Sequence, residues 1–316
     1  MEMRQLRYFL AIAQHRTFTR AAEAVHISQP SLSVQIMALE DELGTPLFDR
    51  LGRQVALTGA GRILFDHAER VVRELDQAAA LIRELSGAHS GTLAVGTLST
   101  VNSYLMPPLV CQFKERFPNV HLRIEASPSS DIEEQLAANR LDLGLCLLPV
   151  AHDHLVSTRL FDETLVLVAP SDMPLPSRRM RMRELAKLPL VLMPADYCLR
   201  KMIEAECAEA GIRPQVSVEM SSPEGILEAV KQGAGLTILP ELYVRHRLRG
   251  AALRTIQLYD PIPRHAVGLV HLANRHLGLA AQEFGRMCRT TLSDLRLPSD
   301  AAGGEGETAS VKRVAG

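Results

Sequence analysis

The chain has 316 residues, 47% of them hydrophobic and 22% charged, enough for two or three domains, each with its own apolar core. Lys and Arg number 35 against 36 Asp and Glu, a formal charge of -1. That balance excludes a polycationic nucleic-acid coat protein and leaves DNA binding only to a local footprint.

Residues 1–58 predict a small helical unit. Leu6, Phe9, Leu10 and Ala13 mark one apolar face, and Phe18, Ala21, Ala22 and Val25 a second, at i, i+3, i+4, i+7 spacing. In HISQPSLSVQIMALEDELG, Ser28 is a good N-cap and Pro30 sits in the first turn, where its missing N–H costs little. Gly44 stops this third helix. Leu32, Ile36, Leu39 and Leu43 form its buried stripe, and Gln29, Ser31, Ser33 and Gln35 give its other side short, polar, uncharged chains. LFDRLGRQVALT then alternates around Leu51-Gly52, as a small β-wing does.

Over residues 59–89 the pattern changes. Leu64, Ala68, Val71, Leu75, Ala78, Ile82 and Leu85 follow each other at alternating spacings of four and three, an a/d heptad stripe. Such a stripe predicts one long helix and a partner to cover it: a second copy of the chain, or its own domain. Ser86-Gly87 and His89-Ser90-Gly91 read as a hinge.

From 90 to 296 short apolar runs alternate with helical segments: TLAVGT, VHLRIEA, LDLGLCLL, LVLVAP, PLVLMP, VSVEM, GLTILP and AVGLVHL. This predicts an α/β architecture of two small lobes with mainly parallel sheets. Residues 297–316, small, polar and Gly/Ala-rich, are expected to be disordered. No apolar run reaches the ~18 residues of a membrane span, and MEMRQLRYFLAIAQHRTF lacks a signal-peptide h-region. A cytoplasmic protein with no membrane association is expected. Cys111, Cys146, Cys198, Cys207 and Cys288 form no CxxC pair and no zinc-spaced cluster, so neither a metal nor another cofactor is expected.

The segment TFTRAAEAVHISQPSLSVQIMALEDELGTPLFDRLGRQVALTGAG closely resembles the winged helix-turn-helix of LysR-type transcriptional regulators: AA, SQPSLS, LE, LG, LF, R and LT-AG occur in order and without gaps. GTLAVG, LDLGL and QGAGLTILP resemble later segments of that family. Stretches around LDLGL and CAEAG resemble its cyanate-operon-regulator branch. The resemblance implies a homodimer or homotetramer, a dimerising linker helix and RNA polymerase as a partner. It also implies a two-lobed effector domain like periplasmic binding proteins, with lobe I at 90–161 plus 266–296 and lobe II at 162–265.

The residues of the head suit double-stranded promoter DNA. Gln pairs bidentately with adenine and Ser bonds base edges or phosphates, so Gln29, Ser31, Ser33 and Gln35, with Ser28 and Pro30 at the helix start, are candidate groove contacts. Arg50 and Arg53 flank the wing and suit phosphates. Thr19 either touches phosphate or serves only to start a helix, and Ser28 has the same double reading as a cap. The head carries six Arg (4, 7, 16, 20, 50, 53) and six acids (2, 23, 40, 41, 42, 49), so placement of charge must do what bulk charge does not. Two copies on half-sites at least a helical turn apart would add affinity.

Ligands of open α/β folds sit beyond the carboxyl ends of strands. Three such ends bear small polar groups: Ser99, Thr100 and Asn102; Ser129 and Ser130; Ser221 and Ser222. Each precedes a helical pattern, whose backbone N–H groups suit a small anionic effector. Alternatively each is a cap and nothing more. Tyr197, Cys198 and Arg200 join the candidates.

Cys198 and Cys207 resemble the cysteine pair of peroxide-sensing LysR-type regulators, which the resemblance implies is redox-active. The residues expected beside that pair differ here: Tyr197 for a histidine, Lys201 for an aspartate and Pro128 for a threonine. Nine helical residues rise ~13.5 Å and end half a turn away. A disulfide needs Cα atoms within ~7 Å, so the pair could close only if the helix melted. The plainer reading makes Cys198 a cleft-lining residue and Cys207 a core residue. A solute-binding protein or enzyme on the same lobes is disfavoured by the head and by the lack of P-loop, G-x-S-x-G or H-E-x-x-H motifs.

Overall fold

The computed structural model describes residues 1–51, 54–85, 90–175, 178–248 and 252–295. Arg53, the Ser86-Gly87 hinge and the 297–316 tail lie outside the described residues, as do the side chains of Arg50 and Leu85.

The head is three helices and a hairpin: α1 (Met3–His15), α2 (Phe18–Ala24), α3 (Gln29–Leu43), β1 (Phe48–Leu51) and β2 (Gln54–Leu57). Thr17 caps α2 by accepting from the Arg20 N–H at 3.3 Å, and Ser28 caps α3 by accepting from that of Ser31 at 3.2 Å. Gly44 ends α3 at φ +66°, a left-handed geometry that glycine adopts without a Cβ penalty. Leu32, Ile36 and Leu39 of α3 pack with Phe9, Ile12 and Ala21 in one core. The hairpin pairs antiparallel, Phe48 opposite Leu57.

Helix α4 (Gly59–Leu85) is one continuous 27-residue rod, roughly 40 Å long. Its heptad stripe divides. Ala68 is buried in the head core and Leu64 packs against it, whereas Val71, Leu75 and Ile82 are 46%, 51% and 66% exposed and Ala78 is exposed. A straight helix drifts ~20° per heptad, so a 3.5-residue stripe winds out from under a single neighbour. Arg7 pairs with Asp76 on the head side. On the other side Arg73 pairs with Asp142 at 3.2 Å. Asp142 also meets Arg275 and accepts from the Ala94 N–H at 2.6 Å.

The remainder contains β3 (Gly91–Thr97), α5 (Ser99–Tyr104), α6 (Met106–Arg116), β4 (Val120–Ala126), α7 (Ser129–Ala137), β5 (Leu143–Leu148) and β6 (Leu155–Pro170). There follow β7 (Arg179–Arg181), a 3-10 turn (Met182–Lys187), β8 (Pro189–Leu192), α8 (Cys198–Glu209), β9 (Gln215–Glu219) and α9 (Pro223–Lys231). The chain continues with β10 (Thr237–Pro240), α10 (Glu241–Arg247), β11 (Leu253–Tyr259), β12 (Arg264–Leu272) and α11 (Leu279–Leu295). The strand order is β4-β3-β5-β12-β6-β11-β7, with β10 also on β6.

The sheet is mixed rather than mainly parallel. β4, β3 and β5 run parallel, and so do β8 with β9, but β6 pairs antiparallel with β10, β11 and β12. The reason lies in the connection between lobes. The 16-residue β6 leaves lobe I, where its first half pairs with β12, and enters lobe II, where its second half lies between β10 and β11. β12 carries the chain back, and strands going out and coming back side by side are antiparallel. Lobe I packs α6 and α11 over Leu93, Val95 and Leu145, and lobe II packs α8 over Leu165, Leu167 and Ile238. Gly235, at φ +145°, has no room for a Cβ: it would sit 2.6 Å from the Pro189 carbonyl oxygen, where Leu236 joins β8.

Candidate functional site

A cavity of about 40 Å³ opens where the strands change lobes. Lobe I contributes Leu98, Ser99 and Thr100 from the end of β3, Ser127, Pro128 and Ser129 from the end of β4, and Leu147 from β5. Lobe II contributes Met193, Tyr197, Cys198, Leu199 and Pro240; His265 comes from the returning strand. Short apolar strands that stop at hydroxyl-bearing helix starts produce this arrangement, because each strand end delivers one such residue to the same place.

Of the candidate effector residues, the structure brings together Ser99, Thr100, Ser129, Tyr197 and Cys198. Thr100 and Ser129 are buried. The Ser129 hydroxyl accepts from the Leu147 N–H at 3.1 Å. Asn102, Ser130, Arg200, Ser221 and Ser222 are not among the cavity's lining residues. Ser130 and Ser221 are exposed, and Ser222 caps α9 by accepting from the Gly225 N–H at 3.2 Å. Arg200 is committed elsewhere: it donates to Glu204 at 2.8 Å, to Glu219 at 2.9 Å and to the Met193 carbonyl at 2.8 Å. It points along its own helix and under β9, so it offers no free guanidinium to an effector.

Sequence reasoning missed three residues. His265 and Glu163 face each other in the β12–β6 register, with His265 Nε2 3.0 Å from Glu163 Oε2. Their side chains are 4% and 0% exposed. The Tyr104 hydroxyl donates to the other Glu163 oxygen at 3.1 Å. The available signal was a carboxylate and an imidazole beside apolar runs; only the strand register joins them.

The cysteines sort by environment. Cys198 opens α8 and is half-buried at the cavity. Cys207 lies on the same intact helix, fully buried in the lobe II core, where burial, then Glu204 and Glu206, pushes its thiol up to about 11. Burial pushes Cys146 up to about 12 against a hydrogen bond with Ser129, and Cys288 also to about 12. Cys111 is exposed.

On the head, α3 presents Gln29, Pro30 and Ser31 fully, and Ser33 and Gln35 in part. Gln29 Nε2 donates to Ser33 Oγ at 3.0 Å, which orients the amide. Ser28 and Ser31 hydroxyls share a 2.8 Å hydrogen bond. Thr19 is exposed on α2. Val34 and Met37 also stand out from α3, 57% and 48% exposed, which the polar reading of that face overlooked.

Comparison with known proteins places these features. Residues 3–62 match the bacterial regulatory helix-turn-helix protein, lysR family, and residues 86–293 match the LysR substrate binding domain. The chain is 33% identical over 293 residues to the DNA-binding transcriptional dual regulator OxyR of Escherichia coli strain K12, covering 91% of this chain and 96% of that one. A full-length OxyR variant from Pseudomonas aeruginosa superposes with a TM-score of 0.72 at 29% identity, covering 92% and 98% of the two chains. An H2O2-bound OxyR variant from Corynebacterium glutamicum gives 0.61 at 25% identity, covering 93% of each. The chain belongs to the LysR family: it is a DNA-binding transcriptional regulator with a helix-turn-helix head and an effector-binding domain. Among the described residues no helix is long and apolar enough to cross a membrane.

Proposed function

We propose that this regulator responds to a small uncharged oxidant of hydrogen peroxide's size, sensed at Cys198. The observation that carries the reading is the cavity's size and lining. The cavity is small, about 40 Å³, and suits a ligand of a few atoms. A thiol, hydroxyls and an imidazole line it, with neither Lys nor Arg, and burying an anion without a cation is costly. That favours a neutral ligand over the anionic effector. The OxyR relatives, one of them H2O2-bound, support the same chemistry. Thr100 and Ser129 supply two hydroxyls for peroxide, Ser129 standing one residue beyond Pro128.

Oxidised Cys198 then pairs with Cys207 once α8 unwinds, a two-state change in lobe II. The signal travels to the head through the Asp142 contacts with Arg73 of α4. α3 enters the major groove with Gln29, Ser33 and Gln35 on base edges and Val34 or Met37 against thymine methyls, while Arg50 and Arg53 hold phosphates. A second copy covers Val71, Leu75, Ala78 and Ile82. The regulator works in the cytoplasm with RNA polymerase.

The test is stoichiometric peroxide on reduced protein, followed by disulfide mapping and hydrogen exchange. A 198–207 bond with lost protection across α8, both absent in Cys198→Ser, is expected. Free thiols at 198 and 207 after such exposure would refute the oxidant reading and return the cavity to a non-reacting small ligand.

A further inference from the structure

Helix α7 touches the cavity at one end and α4 at the other, and the sensing scheme above uses only its first residue. A helix that joins parallel strands runs back from their carboxyl ends to their amino ends. α7 joins β4 to β5 in this way, so its nine residues cover roughly 13 Å from the cavity to the side of lobe I that meets α4. At its start, Ser129 is 2% exposed, lines the cavity and accepts from the Leu147 N–H at 3.1 Å. Beyond its end, Asn139 is buried at φ +55°, with its carboxamide held on both sides. Asn139 Nδ2 donates to Glu74 of α4, and Oδ1 accepts from Arg275. The next carbonyl, that of Arg140, accepts from Arg73 of α4. Two adjacent residues of α4 thus grip two consecutive residues of the turn that ends α7.

Between these ends the helix lies on glycine. Gly96 of β3 and Gly144 of β5 are register partners. A Cβ on Gly144 would stand 2.6 Å from Ile132 Cγ2 and 2.8 Å from Leu136 Cδ1, and one on Gly96 would stand 2.9 Å from Ile132 Cγ2. Ile132 and Leu136, both fully buried, therefore pack directly on strand backbone. Packing this close transmits a displacement rather than absorbing it, and a floor without side chains at these positions leaves no knob to be lifted from a hole.

We infer that α7 is a strut coupling the cavity to the linker helix, with Asn139 as its pin on α4. A ligand that takes up the Ser129 hydroxyl competes with the Leu147 N–H for it. Loss of that tie shifts the start of α7, and the Asn139 turn carries the shift to Glu74 and Arg73. Ala68 of α4 is buried in the head core, so the rod delivers the shift to the head. Asn139 is a positioning residue and lies outside the cavity lining. The strut rests on the cavity being the effector site, whatever the effector, and supplies the moving element behind the Arg73–Asp142 contact.

Coupling of two binding sites is reciprocal, so the test runs from DNA to the cavity. Hydrogen exchange of the Leu147 amide is followed in the full-length protein by mass spectrometry with residue-resolving fragmentation. It is measured with and without a saturating duplex obtained by binding-site selection. In wild type the duplex should change the Leu147 exchange rate by about fivefold or more, within the usual range of allosteric coupling. Glycine adopts the left-handed turn as readily as asparagine, so Asn139→Gly deletes the carboxamide alone. That variant should reduce the DNA effect to below about twofold, with exchange in the free protein unchanged. Glu74 is exposed, and Glu74→Ala opens the same contact from α4 while leaving α7 untouched. It should give the same loss, and it decides if Asn139→Gly fails to fold or loosens α7. No DNA effect at Leu147 in wild type, or a wild-type effect kept in Glu74→Ala, would overturn the strut. A pin-dependent DNA effect in a protein whose Cys198 resists peroxide would support the strut and sink only the oxidant reading.

Discussion

Leu75→Glu tests whether the open face of α4 is where two copies meet. Leu75 is 51% exposed in the single chain, so about half its side chain remains for a partner to cover. Full burial of a leucine contributes ~1.5–3 kcal/mol, so half of it is about 1 kcal/mol per copy and about 2 kcal/mol per dimer. At ~1.4 kcal/mol per tenfold, that apolar contribution alone is about 30-fold in the dimer dissociation constant. Glutamate adds the desolvation of two carboxylates, which near the symmetry axis also repel each other, and the expected loss exceeds ~10³-fold. Leu75→Ala isolates the apolar part and should cost on the order of 30-fold. Sedimentation velocity over a concentration series gives the constants. The Arg7–Asp76 pair lies one residue away, so melting of the head serves as the control for folding. If Leu75→Glu keeps wild-type mass at submicromolar concentration and binds DNA as tightly, this face is not the seam.

Asp142→Asn leaves the buried Arg275 and the half-buried Arg73 without their carboxylate, and should cost about 3–5 kcal/mol in urea unfolding. Cys146, Cys207 and Cys288 have folded pKa values raised to about 11–12, above the unfolded thiol at about 9. Their contribution to stability is therefore intact below pH ~9 and lost as pH rises through about 11–12. A melting temperature that stays flat up to pH 11 would contradict this. Gln29→Ala should relax base preference at one position per half-site by ~1–3 kcal/mol, and Ser33→Ala, which frees the Gln29 amide, should blur the same position; binding-site selection reads both. Thr100→Val removes one cavity hydroxyl at constant size, so a reporter should lose its peroxide response while gel shifts stay unchanged.

The head and the rod were legible in the chain itself, because their signals are local. Ser28 and Gly44 mark the ends of α3 through bonds within four residues, and Pro30 fits its first turn without one. The apolar spacing names the side buried by Leu32, Ile36 and Leu39, whereas Leu43, read as part of that stripe, is 42% exposed at the helix end. Strand and helix alternation likewise announced an α/β effector domain. Four matters were settled only by the tertiary structure. The heptad stripe did not say that Leu64 and Ala68 would be taken by the head, since a repeat reports a face and not its occupant. The hydroxyl-bearing strand ends looked equivalent, yet Ser99, Thr100 and Ser129 reach the cavity while Ser221 and Ser222 do not, because which ends converge depends on the strand order. Arg200 reads in sequence as a free cation beside the helix start, and its engagement by Glu219 required β9 to pack beside α8. Glu163 and His265 lie about a hundred residues apart, and nothing local to either residue encodes the partnership. It comes from the antiparallel register of β6 and β12, which the passage of the chain out to lobe II and back imposes.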